Sequence, residues 1–477
     1  MQESQRQGIL DNARYLQNVR PIDPEEIHEY VEGQPHPAAV RQVLREEATA
    51  LGMVETEDGT FVPAPDGPVS LAFHGIDSFP EAYARVLEDM LVEEYGPGWP
   101  DGESGDRLRS RIRSFKQRYL TGADVEYNRE TALGYAVYHL PAYYAAVQYV
   151  LAEVADDGRL PASPRVLDVG AGVGGPALGI HDLLPADSLV EYHAVEPSAA
   201  AEVLDRLLDA TGRNFHPTVH RTTAESFEPE GEYDVVLFAN VLSELADPAT
   251  VVDRYADALA EEGSIVALAP ADRETATGLR SIERTVERRA GLTVYAPTVR
   301  LWPGETPSSG CWSFDVAPDL AVPAFQRRLD EGTRETAEAD PDRSPGDGEF
   351  VNVDVQYAYG VWRTDGATRF DFRPSPDRTA KMVDADGHVT ERVNLAAVKL
   401  SNDLSEGGNP LFLLGDGSQQ TDHFAVVTRE SALNRDLLEA AYGDPLLFEN
   451  ALVLWNDDEA AYNVVVDGET VVDRVPV

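Results

Sequence analysis

The chain has 477 residues, enough for two to four domains at roughly 100 to 200 residues each, with material for buried cores. Its 84 acidic residues outnumber its 39 basic ones, for a net charge of −45, and only three of the basic residues are lysines, Lys116, Lys381 and Lys399. A hydrophobic fraction of 43% is ordinary for a globular protein, so this charge does not imply disorder.

An acidic, lysine-poor chain of this kind is expected of a protein adapted to a cytoplasm of very high salt. At about 1 M salt the Debye length is only about 3 Å, so acidity there does not exclude a nucleic-acid partner. The single cysteine, Cys311, excludes an intramolecular disulfide and any multi-cysteine zinc or iron–sulfur site formed by this chain alone. No basic stretch followed by an apolar core opens the chain, and no run approaches the roughly 18 apolar residues of a membrane span. The expectation is a cytoplasmic protein without a membrane partner.

Residues 1–160 read as helical, with segments at 3–18, 24–32, 37–51, 78–95, 105–120 and 128–156, the last interrupted by Pro141. Near 24–63 an amphipathic helix precedes short extended runs joined at Asp58-Gly59, the outline of a winged helix or of a helical cap with one hairpin. From 161 to 365, apolar runs (RVLDVGAG, EYHAVEP, YDVVLFAN, GSIVALAP, WSFDVA, VQYAYGVW) alternate with helical stretches, which predicts an α/β fold with a Rossmann-like sheet. The acid-, Pro- and Gly-rich stretch near 330–349 reads as a solvated, mobile insertion. Residues 378–477 read as three strands, a helix and two strands, the chain order of an OB-type barrel.

The chemistry-bearing motif runs Val166-Leu167-Asp168-Val169-Gly170-Ala171-Gly172-Val173-Gly174-Gly175. An apolar strand enters a glycine turn, and the helix that follows offers free N–H groups to a ligand. The next strand ends in Glu196, where a carboxylate can accept from ribose hydroxyls. A dinucleotide site and a structural turn without ligand are the rival readings. The D-x-G-x-G-x-G form, however, resembles the S-adenosylmethionine site of class I methyltransferases, with Asp168 near the ligand's amino-acid end. That resemblance makes Glu225 a candidate adenine contact or a solvated loop acid. Asn240, at the end of the next strand, orients the methyl donor or a target nitrogen, or orders its loop.

A narrower resemblance rests on the helix Gly134-Tyr135-Ala136-Val137-Tyr138-His139-Leu140-Pro141-Ala142-Tyr143-Tyr144, then VLDVGAGVGG, VEPS, YDVVLFANVLSEL, LWPGETPSSGCWSF and VQYAYGVW. These resemble the small-ribosomal-subunit methyltransferase-like proteins, which include the mitochondrial ribosome-associated type; the acidic composition makes this chain similar to a haloarchaeal-type member. The likeness spans 128–365. It implies S-adenosylmethionine as ligand and the small ribosomal subunit or its rRNA as partner in ribosome assembly. Many members carry cysteines suited to an iron–sulfur cluster. This chain keeps only Cys311, so no cluster is expected.

Two features bear on RNA apart from the resemblance. Arg107, Arg109, Arg111, Arg113, Lys116 and Arg118 lie together without an acid between them, suited either to phosphates or to ion pairs with the chain's own carboxylates. The barrel offers Phe412, Phe424, Phe448 and Trp455 as stacking or core residues. No catalytic constellation and no metal-ligand spacing emerges; His139, His181, His193 and His220 are scattered. The expected function is therefore methyl transfer to small-subunit rRNA. The rivals are a non-catalytic assembly factor that keeps the fold and a methyltransferase for a small molecule or protein.

Overall fold

The computed structural model describes residues 1–120, 127–289, 291–297, 300–334 and 346–476. In chain order the elements begin with α1 (Glu3–Leu16), α2 (Pro24–Tyr30), α3 (Pro37–Glu46), α4 (Ala48–Leu51), β1 (Met53–Glu55), β2 (Phe61–Pro63), α5 (Glu81–Tyr95), α6 (Gly102–Leu120) and α7 (Arg129–Asp156). There follow β3 (Arg165–Val169), α8 (Gly175–Leu183), β4 (Val190–Val195), α9 (Ala200–Leu208), β5 (Phe215–His220), β6 (Tyr233–Ala239), α10 (Pro248–Ala256), β7 (Leu259–Pro270) and α11 (Arg273–Arg289). Next are β8 (Thr293–Ala296), β9 (Asp315–Ala317), α12 (Ala324–Glu331), β10 (Val355–Arg363), β11 (Arg392–Lys399), β12 (Leu411–Gly415) and β13 (His423–Val427). The last are α13 (Arg435–Glu439), β14 (Pro445–Asn456), β15 (Ala461–Val466) and β16 (Val471–Arg474). They pack as two compact units, Met1–Ala239 with Pro318–Val355, and Asn240–Ala317 with Gln356–Val477.

In the first unit β3, β4, β5 and β6 form parallel strands in the order β5-β4-β3-β6. The chain winds outward from β3 to β5 and returns on the other side of β3, so the switch of direction falls between β3 and β6, where open α/β sheets hold ligands. This is a Rossmann-like arrangement. Strand β5 was not foreseen: it is an edge strand that contains Pro217 and has only Phe215 buried, so its apolar signal is weak.

The N-terminal helices follow the expectation with two departures: the segment read as 37–51 is broken at Glu47 into α3 and α4, and Pro141 does not interrupt α7, where one 28-residue helix runs through it. The missing backbone donor is replaced from outside, because Gln326 Nε2 donates to Val137 O at 2.8 Å and Asn352 Nδ2 donates to Tyr138 O at 3.0 Å. Helices α5, α6, α7 and α12 share an apolar core that includes Leu87, Leu108, Ile112, Leu133, Val137 and Phe325, each fully buried. The hairpin near 24–63 forms as β1 and β2, in antiparallel register after α2–α4.

Of the acidic insertion near 330–349, residues 335–345 lie outside the described residues. Its ends are anchored: the buried Asp330 carboxylate accepts from Gly348 N at 2.9 Å and Phe350 N at 3.0 Å.

In the second unit β7, β10 and β8 pair antiparallel, with β9 beside β10. The C-terminal module is a closed five-stranded barrel in the order β11-β12-β13-β15-β14, with β14 returning to β11 and β13 parallel to β15. The stretch read as one final strand is two, β15 and β16, because Asp467 accepts from Glu469 N and Thr470 N and turns the chain. Strand β16 pairs with β14.

Candidate ligand site at the glycine turn

Strand β3 ends at Val169 and the chain enters a turn in which Gly170, Gly172 and Gly174 have φ of 75°, 54° and 95°. The three glycines serve different ends. A Cβ on Gly174 would stand 2.5 Å from Leu204 Cδ1, so this glycine lets α9 approach the turn. A Cβ on Gly172 would meet nothing closer than Gly170 O at 4.0 Å. The space over Gly172 is open, the shape of a cradle in which a ligand lies against backbone. Helix α8 starts directly afterwards with Pro176 in its first turn, leaving the Gly175 and Ala177 N–H groups without helical acceptors.

Glu196 follows β4 and is 7% exposed. One carboxylate oxygen accepts from Gly172 N at 2.9 Å, the other from Ser198 N at 2.9 Å. Glu196 thereby ties the glycine turn to the end of the neighbouring strand. A carboxylate has about four lone-pair sites, so two remain for hydroxyl donors from a ligand.

Asp168 sits one strand inward and is fully buried. Its Oδ2 accepts from the Tyr192 hydroxyl, while Oδ1 has no partner. Burial pushes its carboxyl up to about 7; the Tyr192 hydrogen bond pulls down and the nearby Glu196 charge adds to the rise. The Tyr192 hydrogen bond ties Asp168 to β4, the strand beside its own. Glu225 is exposed on the loop after β5. Asn240 has a φ of 62°, and its N–H donates to Leu268 O at 2.9 Å within the second unit.

The cationic helix α6 is engaged by the protein itself. Arg107 and Arg111 both reach Glu130, and Arg113 makes a two-pronged pair with Glu349 at 2.7 Å for each bond. Lys116 Nζ donates to the Tyr138 hydroxyl at 2.8 Å. Arg109 is 1% exposed and donates to Pro100 O, Leu329 O and Thr333 O at 2.9–3.0 Å, with Asp106 as counter-ion. Arg118 is exposed. A chain so rich in carboxylates supplies partners for its own cations. Burial raises Glu130, but Arg107 and Arg111 outweigh it and hold its carboxyl below the usual range.

Of the four barrel aromatics, Phe412 and Phe448 are core residues, Phe424 is half-buried, and Trp455 is 40% exposed with its indole N–H on Asp457. Cys311 is buried and its thiol is pushed up to about 11, chiefly by burial, so it is held as an unreactive thiol. Among the described residues no group of three His, Cys, Asp or Glu could hold a metal ion, and no helix is long and apolar enough to cross a membrane. Packing also assembles a histidine pair that no local pattern signalled. His193 Nδ1 lies 3.0 Å from His220 Nε2, with the rings stacked across β4 and β5.

The fold and turn define a Rossmann-like α/β protein with a nucleotide-type ligand cradle. Residues 167–265 match the family model described as methyltransferase domain. Residues 6–57 and 383–475 match the N-terminal and C-terminal models of a domain of unknown function, DUF8157. No curated protein matches the chain in sequence.

Among solved structures, an S-adenosylmethionine-dependent methyltransferase from Clostridium acetobutylicum is similar at 10% identity, over 34% of this chain and 57% of that one, with a TM-score of 0.24. A sugar N-methyltransferase from Streptoalloteichus is similar at 23% identity, over 26% of this chain and 47% of that one, with a TM-score of 0.22. The chain thus spans about half the length of these two proteins. The magnesium protoporphyrin IX methyltransferase of Synechocystis, solved with bound S-adenosylmethionine, is similar at 16% identity, over 46% of this chain and 89% of that one, with a TM-score of 0.27.

Proposed function

We propose that this chain is an S-adenosylmethionine-dependent methyltransferase that acts on small-subunit ribosomal RNA. The observation that carries the cofactor half is the tie from Gly172 N–H to Glu196 beside an open position over Gly172. The residues present fit the group. The Gly170–Gly174 turn and the first N–H groups of α8 would hold its amino-acid end, Glu196 its ribose hydroxyls, and Glu225 its adenine. When bound, S-adenosylmethionine supplies an electrophilic methyl group. The chain's part is to hold donor and acceptor in line and to exclude water, which needs no acid–base pair. Asp168, kept from solvent, shapes the strand end that presents the turn.

The RNA half rests on the family resemblance and on the five-stranded C-terminal barrel, five-stranded barrels being a form that OB-folds use to bind single strands. Helix α6 adds little, its cations being engaged. A non-catalytic assembly factor would use the same fold, since binding residues do not prove turnover.

Transfer of radiolabelled methyl from S-adenosylmethionine to immature small ribosomal subunits in multimolar potassium chloride separates the readings. Label in rRNA that disappears with Glu196→Ala is the expected result, with cofactor affinity falling by about tenfold or more as the ribose contact is lost. No label, with cofactor binding and subunit association both measured in the same buffer, would establish the assembly factor instead.

A further inference from the structure

Helix α7 presents two unlike faces. Leu140, Tyr144 and Val147 are buried against α8, where Gly175 and Gly179 lack side chains so that the helices touch: a Cβ on Gly179 would stand 2.4 Å from Val147 Cγ1. Tyr135, His139 and Tyr143, at successive i, i+4 positions, form a second row that is only half-buried. Their rings pack in sequence, Tyr135 tilted by 43° on His139 at a centroid distance of 4.6 Å and His139 nearly parallel to Tyr143 at 15° and 5.2 Å, while the Tyr135 hydroxyl donates to that of Tyr143 at 3.3 Å.

The row borders the ligand cradle at both ends. At one end Tyr143 stands over the start of α8, its Cβ 2.9 Å from where a Gly175 Cβ would be. At the other, Tyr135 packs edge-on at 5.7 Å against Tyr127, whose carbonyl accepts from Ala199 N just beyond Glu196 and Ser198. Core aromatics on the same helix are closed off, as Tyr144 is at 4% exposure; this row is not.

We propose that Tyr135, His139 and Tyr143 form the stacking wall for a planar heteroaromatic acceptor, an inference that rests on the cofactor reading above. A wall of neutral rings selects by π-stacking rather than by charge, which suits a base or heterocycle and no anionic group. His139 serves as a neutral ring: burial, with the Lys116 charge adding to it, pushes its imidazole down to about 3. Its Nδ1 lies 3.5 Å from Asn352 Nδ2, an amide donor, which leaves Nε2–H as a donor toward an acceptor's carbonyl or ring nitrogen.

The test uses 2-aminopurine, whose fluorescence is quenched by stacking, both as the free riboside and within a single-stranded RNA oligonucleotide. Each is titrated into the full chain saturated with S-adenosylhomocysteine. Quenching by the wild type is expected, with affinity about tenfold weaker in His139→Leu and Tyr143→Leu and retained within about twofold in Tyr143→Phe, which keeps the ring. Tighter binding of the oligonucleotide identifies a base in RNA; equal binding identifies a free heterocycle. S-adenosylhomocysteine affinity, measured separately by calorimetry, should not change in these variants. No quenching by a wild type that binds S-adenosylhomocysteine overturns the wall, as does equal loss in Tyr143→Phe and Tyr143→Leu. A wild type that fails to bind S-adenosylhomocysteine overturns the cofactor reading and the wall with it.

Discussion

The side-chain amide of Gln326 donates to the carbonyl oxygen of Val137 at 2.8 Å, the hydrogen bond that Pro141 withholds from its own helix. A proline inside a helix costs about 3 kcal/mol, in part through the carbonyl it orphans. Gln326 is fully buried and its Oε1 accepts from Asn352 N at 3.1 Å, so one residue repairs α7 and pins the segment after the acidic insertion. Gln326→Leu should lower stability by about 1–3 kcal/mol by leaving buried carbonyls unpaired. Pro141→Ala in that background restores a donor to Val137 and should recover part of the loss. Chemical denaturation of the single and double variants checks this, and no recovery would refute the repair.

Gly172 and Gly174 separate binding from folding. Gly174→Ala combines a left-handed φ with a clash against Leu204 and should destabilise the protein by roughly 2 kcal/mol or more. Gly172→Ala meets no neighbour and should cost only about 1–2 kcal/mol while placing a methyl group in the cradle. Thermal unfolding beside calorimetric titration with S-adenosylhomocysteine reads both. A Gly172→Ala protein that binds as tightly as the wild type would move the ligand elsewhere.

Asp168 predicts a pH dependence of defined sign. Burial disfavours its charge and pushes the carboxyl up to about 7 in the fold, from an ordinary value of 3.8. Below 3.8 both states carry the proton and the fold bears no penalty. As pH rises toward 7 the unfolded chain ionises first and stability falls, by at most a few kcal/mol. Asp168→Asn removes this titration and keeps an acceptor for Tyr192. Relative to wild type it should be more stable near pH 8, with the difference vanishing near pH 4. A constant difference across that range in denaturation experiments would show that Asp168 is already ionised in the fold.

Among the α6 cations, Arg109 is the structural one. Arg109→Ala leaves three carbonyls unpaired and should cost about 3 kcal/mol or more. Arg111→Ala removes one of two exposed partners of Glu130 and should cost no more than about 1 kcal/mol. Equal losses in thermal unfolding would contradict the distinction.

The signals carried by neighbouring residues were legible from the chain alone. The strand into Asp168-x-Gly170-x-Gly172-x-Gly174, the acid after β4, the N-terminal helical segments and the succession of strands and helix in the C-terminal module each depend on local period, glycine spacing or a short turn, which are written in consecutive residues. What local pattern could not convey were pairings between residues far apart. The glycine triplet announced a cradle, but only packing showed that Gly174 yields to Leu204 while Gly172 stays open. Pro141 read as a break because its rescuer, Gln326, lies 185 positions away and is brought there by the core that α12 shares with α7. Whether the cations of α6 meet phosphates or the chain's own acids stayed open in the sequence because Glu130 and Glu349 come from other segments, and in so acidic a chain the fold decides which carboxylates meet them. Asp168 could be placed by its motif, yet its protonation depends on burial and on Tyr192, which the pairing of β3 with β4 sets beside it. Local propensity follows from each residue and its near neighbours, whereas desolvation and ion pairing exist only once distant segments have been packed together.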